Sequence, residues 1–273
     1  MPNLPTHVDL AWRAAGMLSN KLPSRELGSY LLGATAPDVR IITKRPRIDT
    51  HFFELGVGGL GDGVGGLFTA YPELRSPVSG AQAAFVAGYL THLVADETWI
   101  VSMYRPYFGE PNPGRFGSRD AAQLYDRAAQ LTLDRACEQR VRSLLPAMDK
   151  TSEDFAVGPL DTTVMREWRA WVLDFLAGQR PYSWQRLRHM ANRISHRDPQ
   201  HPSQEIADRF LSDIPTGLSA LHAVVPESEL ERYMDRATTN LARVVDEYLA
   251  SRNVGVPVKP AASIGGGQRC VAQ

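Results

Sequence analysis

A chain of 273 residues with 43% hydrophobic side chains can bury a substantial core, in one large domain or two small ones. Its 30 basic and 30 acidic side chains cancel to a formal net charge of zero, which excludes the global basic field that non-specific nucleic-acid binding relies on. Two cysteines, Cys137 and Cys270, exclude a disulfide framework, and no apolar run approaches the roughly 20 residues of a membrane span. The start, Met1-Pro2-Asn3-Leu4-Pro5-Thr6, has neither a basic n-region nor an apolar h-region, so no signal peptide is expected and the protein reads as soluble and cytoplasmic.

Taken in order, the chain predicts helices and no sheet. Thr6 can cap a first helix over 7–20, with apolar faces from Leu10, Trp12, Ala14, Ala15, Met17 and Leu18. Ser24 opens a second helix through Leu32, which Gly33 ends, and Pro37 then holds the chain extended with Asp38 in a loop. Residues 39–50 are mixed and basic (Arg40, Lys44, Arg45, Arg47), as in an exposed connection leading to His51. The glycine-rich run 56–66 lacks the Gly-Lys-Ser/Thr of a phosphate-binding loop and reads as a flexible loop. A central helix over 79–104 ends before Pro106, and a proline- and glycine-rich loop follows over 108–114. Helical periodicity resumes over 118–148, 161–177, 184–194, 203–222 and 227–251. From Asn253 the composition turns to glycine, proline and small residues, which predicts a disordered tail over 253–273 behind one all-α domain over 1–252. There is no alternating apolar and polar run and no solenoid repeat.

The stretch from Ala83 to Trp99 is apolar at nearly every position, yet it carries His92 and Asp96 four residues apart, on one face of a buried helix. Leaving either unpaired there costs several kcal/mol, roughly the cost of an unmatched buried polar group. A metal ion or a local hydrogen-bond network must satisfy them. The N-terminal half also offers His7, Asp38 and His51, each at the edge of an apolar segment. Trp168, Trp171, Tyr182 and Trp184 fall at helix-packing spacings and read as core.

The order His7, Ala36-Pro37-Asp38, His51 and Gly88-Tyr89-Leu90-Thr91-His92-Leu93-Val94-Ala95-Asp96 resembles the zinc-dependent phospholipase C family, which shares its all-helical fold with the fungal-type single-strand-specific zinc nucleases. The likeness covers about the first hundred residues. It implies a single multi-helix domain built around the central helix, with zinc as the cofactor. It implies one site of Asp38, His51, His92 and Asp96, with Asp96 bridging to a second ion that also takes His7. It further implies hydrolysis of a small-molecule or lipid phosphodiester by a metal-bound hydroxide, which Asp38 orients or deprotonates. In secreted members the terminal amine is also a ligand, and here removal of Met1 would expose Pro2 five residues before His7.

The chain departs from the family at its third zinc site. After Asp96 no histidine occurs until His189, and only His201 and Glu205 keep an H-x3-E spacing, which also reads as a helix start with Pro202 in the first turn. One or two ions are therefore expected, not three. Two other readings stay open: a helical domain that keeps the cluster as a structural staple without turnover, and a cluster recruited to a different cytoplasmic reaction.

Overall fold

Gly80–Trp99 forms the helix on which the others are laid, and it is buried at every position from Gln82 onward. Ser79 caps it, its hydroxyl accepting from the Gln82 amide at 3.1 Å. The computed structural model describes residues 1–19, 21–22, 24–54, 58–109, 113–151 and 155–253. Gly56 and Val57 of the glycine-rich run, residues 110–112 of the proline-rich loop, and the expected disordered tail beyond Asn253 with its Cys270 lie outside the described residues.

The described residues are all helical apart from loops and one isolated bridge between Val157 and Leu160. The α-helices are α1 (Leu4–Met17), α2 (Leu27–Gly33), α3 (Arg40–Thr43), α4 (Ile48–His51), α5 (Asp62–Ala70), α6 (Gly80–Trp99), α7 (Arg119–Asp149), α8 (Thr162–Ala177), α9 (Arg186–Ile194), α10 (Pro202–Ser212), α11 (Ile214–Val224) and α12 (Glu227–Asn253). Helix α6 packs most extensively on α2 and α12, and α1 lies against α12 and α7. Ser118 and Asp161, the first residues of two of the expected helical runs, cap α7 and α8. Trp168 and Tyr182 are fully buried, and Trp171 stacks on Trp168 and Phe175.

Two glycines let α2 and α6 touch backbone to backbone. A Cβ on Gly88 would stand 1.9 Å from the Tyr30 carbonyl oxygen, and one on Gly33 would stand 2.1 Å from that of Phe85. Any larger residue would push the helices apart. That close crossing delivers the Ala34 carbonyl to the His92 ring.

Several boundaries differ from expectation, each for a physical reason. Helix α1 starts at Leu4 rather than after Thr6, because the Thr6 hydroxyl donates to Asp134 of α7 at 2.8 Å instead of capping. Asn3 donates to the same buried carboxylate, so the start of α1 is moored to α7. Ser24 begins a 3-10 turn that precedes α2, and Asp38 sits in another, over Ala36–Val39, rather than in an open loop. The basic connection is folded into α3 and α4. The central helix does not stop before Pro106; it widens into π-type turns over Ile100–Phe108, closed by the Gly109 amide on the Tyr104 carbonyl. The 203–222 segment is two helices, broken where Asp213 turns extended and caps α11 with Pro215 in its first turn.

The glycine-rich run is not a loop throughout, since α5 begins inside it. Its first amides are satisfied from outside: the Glu97 carboxylate of α6 accepts from Gly61 and Gly63, each at 2.6 Å. Burial pushes the Glu97 carboxyl up to about 7, against the pull of those two amides, with Asp62 and Asp96 adding to the rise. Between the ordinary value of 4.5 and about 7 the folded chain holds a proton that the unfolded chain has lost. Stability from this group is therefore complete below the ordinary value and falls as pH rises through about 7. The melting temperature of metal-free Glu97→Gln should decline less than that of the wild type between about pH 5 and about pH 8. Equal declines would show that Glu97 does not titrate in this window.

Candidate metal centre

Five side chains from four elements meet in one largely buried cluster. His7 comes from α1, Asp38 from the 3-10 turn after α2, His51 from the last position of α4, and His92 and Asp96 from adjacent turns of α6. His7, His51, His92 and Asp96 are each at most 2% exposed. Asp38 keeps 23% of its side chain open to solvent, which places it at the mouth. All five residues expected from the sequence are brought together here.

One ring proton is fixed by the hydrogen-bond network. A carbonyl only accepts, so the His92 Nδ1 at 2.9 Å from the Ala34 oxygen is the N–H, and Nε2 holds the lone pair. The Thr50 hydroxyl lies 3.3 Å from the Arg47 carbonyl and 3.0 Å from His51 Nδ1, and its one proton can go to either. His51 Nε2 faces the His92 lone pair at 3.3 Å. With the hydroxyl proton on the Arg47 carbonyl, both Nε2 atoms hold lone pairs, and two ligands on a tetrahedral zinc with bonds of about 2.0–2.1 Å stand about 3.3 Å apart. With it on His51 Nδ1, the His51 Nε2–H donates to His92 instead. Metal-binding histidines characteristically give their other N–H to a carbonyl or hydroxyl, as His92 does to Ala34.

Other donors in the pocket are unspent. Both ring nitrogens of His7 and the Oδ1 of Asp96 are buried without a hydrogen-bond partner among the described residues. His7 Nε2 and Asp96 Oδ1 are 3.3 Å apart, and the His7 ring stacks on His92 with centroids 3.7 Å apart. The Asp96 Oδ2 lies 3.5 Å from His51 Nε2 and 3.8 Å from His92 Nε2, while Asp38 Oδ1 is 3.9 Å from His51 Nε2. Two donor groups close enough to hold an ion result: His7, His92 and Asp96, and Asp38, His51 and His92. Buried and unpaired donors of these types fit a divalent cation.

Burial drives the His51 ring down to about 3 and the His92 ring well below the ordinary imidazole value, so both present neutral ligands near neutral pH. Burial, with Asp96 second, raises the Asp38 carboxyl. Burial also opposes charge on Asp96, but the His92, His7 and His51 rings outweigh it and hold that carboxyl below its ordinary range. The Met1 amine reaches the same neighbourhood, where burial lowers it to about 6 against the pull of Asp126 and Asp96.

The sequence reading missed Arg47. It was expected in an exposed connection, but 15% of its side chain is open and its Nη2 donates to Asp96 Oδ2 at 2.8 Å. Its Nη1 donates to the Phe53 carbonyl, and its guanidinium lies 4.5 Å over the Phe53 ring. Arg47 precedes His51 by four residues, so one helical turn puts both on the same face. That spacing was the available signal.

The late histidines stay away from the cluster. His189 and His196 are exposed, and His222 is spent on the Val225 carbonyl. His201 caps α10 through its Nδ1, while Glu205 pairs with Arg209 rather than completing the cap. Cys137 is buried and its thiol donates to the Asp134 carbonyl. A groove of about 720 Å³ lined by Trp12, Gly16, Met17, Leu27 and Thr238 includes none of the five ligand-type residues. Among the described residues no helix is long and apolar enough to cross a membrane. No known family model, curated protein or solved structure matches the chain.

Proposed function

We propose that His7, Asp38, His51, His92 and Asp96 hold zinc, and that the protein is a phospholipase C-like hydrolase of a phosphodiester or phospholipid-like substrate. The observation that carries the metal is the buried, unspent set of His7 and Asp96 atoms beside the Nε2 atoms of His51 and His92, which face each other at 3.3 Å. The order of the five residues along an all-helical chain supports the family likeness.

A divalent cation held here supplies Lewis acidity, drawing charge from a phosphoryl oxygen and making water acidic near neutral pH. The chain's own side chains do the rest. Asp38, the one ligand-type carboxylate at the mouth, orients the attacking water and receives its proton. Arg40, exposed next to Asp38, and Arg47, behind it, make the approach favourable to a phosphate anion. The apolar walls from α6 keep bulk water out and strengthen each of these interactions.

Turnover of bis-aryl phosphate, short-chain phosphatidylcholine and single-stranded DNA, with and without chelator, tests the reading. Chelator-sensitive hydrolysis of one of the first two is expected. A metal-loaded protein inert on all three would favour the staple reading, to which the near-complete burial of four of the five residues also lends weight.

A further inference from the structure

The two donor groups cannot both be complete at once. They share His92, and its only lone pair is on Nε2, because Nδ1–H is spent on Ala34. One lone pair serves one cation. The other device for holding two ions is a bridging carboxylate, and one of the two Asp96 oxygens already has a cation against it. Its Oδ1 faces His7 without a donor, but its Oδ2 accepts from the Arg47 guanidinium at 2.8 Å.

Arg47 is fixed in that position. The Phe53 carbonyl takes Nη1, the Phe53 ring lies under the guanidinium, and most of the side chain is out of water. Charge points the same way. Asp38, Asp96 and Arg47 sum to minus one. One divalent cation brings the cluster to plus one, which a single monoanionic phosphodiester neutralises. Two would bring it to plus three in a low-dielectric pocket, where unbalanced charge is costly.

We propose that Arg47 takes the place of a second metal ion: the cluster binds one divalent cation, and the guanidinium is the partner cation on Asp96. The inference rests on the metal reading above and goes beyond it by fixing the stoichiometry and giving the second position to a side chain. An arginine serves there because its charge is permanent and its planar fork can hold a carboxylate oxygen and a backbone carbonyl at once.

The test is zinc titration of the full chain against a chromophoric chelator, with wild type, Arg47→Met and Arg47→Lys compared and circular dichroism checking each fold. Wild type should bind one equivalent. Arg47→Met, which frees Asp96 Oδ2, should bind two, and Arg47→Lys, which keeps the charge, should bind one. Two equivalents on wild type, or one on a folded Arg47→Met, would overturn the inference. Should Arg47→Met not fold, zinc-edge X-ray absorption on wild type decides. A metal–metal vector near the roughly 3.5–4 Å of two-metal sites overturns it, and single-ion scattering at one equivalent supports it. No zinc bound by wild type is a different failure, that of the metal reading itself.

Discussion

The Asp96→Asn variant should be purified without metal and should turn over a phosphodiester at least about a hundredfold more slowly than wild type. The substitution keeps the side-chain shape but removes a negative charge and turns one acceptor oxygen into a donor amide. His7 and His92 lose the carboxylate that completes their donor group, and Arg47 loses the buried carboxylate it pairs with. Removing one partner of a buried ion pair costs about 3–5 kcal/mol. At about 2–4 °C per kcal/mol for a chain of this size, the melting temperature should fall by about 10 °C. Wild-type zinc content and a wild-type melting temperature in Asp96→Asn would remove Asp96 from both roles.

His92→Ala should separate metal binding from fold stability. His92 joins both donor groups and ties α6 to the Ala34 carbonyl. The variant leaves that carbonyl without its donor, which costs about 1–3 kcal/mol, and opens a cavity besides. The larger difference should appear on adding zinc. Free zinc at a hundred times Kd stabilises wild type by about 2.7 kcal/mol, and the variant should gain almost nothing. Thermal melts with zinc and with chelator measure both effects. A His92→Ala protein that still gains stability with zinc would show that His92 is not a ligand.

The parts of this site legible in the sequence were those that break a local rule. An imidazole and a carboxylate in the apolar run of α6 had to find partners, and His7, Asp38 and His51 offered them at other apolar edges. The starts of α7 and α8 were legible because helical periodicity resumes at Ser118 and Asp161. What escaped depends on partners distant in sequence. Arg47 sits among exposed basic residues and becomes buried only when α4 docks beside α6. Glu97 caps α5 from another helix, so the glycine-rich run looked like a loop without it. Thr6 suits a cap by type, yet Asp134, 128 residues away, claims its hydroxyl. The break before α11 was within reach, since Asp213 with Pro215 two residues on is a helix start, but unbroken apolar periodicity hid it. Pro106 signalled a stop that the wider π-type turns absorb.

Anomalous diffraction at the zinc edge, on crystals of protein purified without chelator, tests the central claim most directly, namely that the buried His/Asp cluster is a metal site. The account predicts one peak in the cluster, against the His92 Nε2 atom that both donor groups share, with Arg47 still on Asp96. A map with no peak there, and the two imidazoles joined through a shared proton, would contradict it.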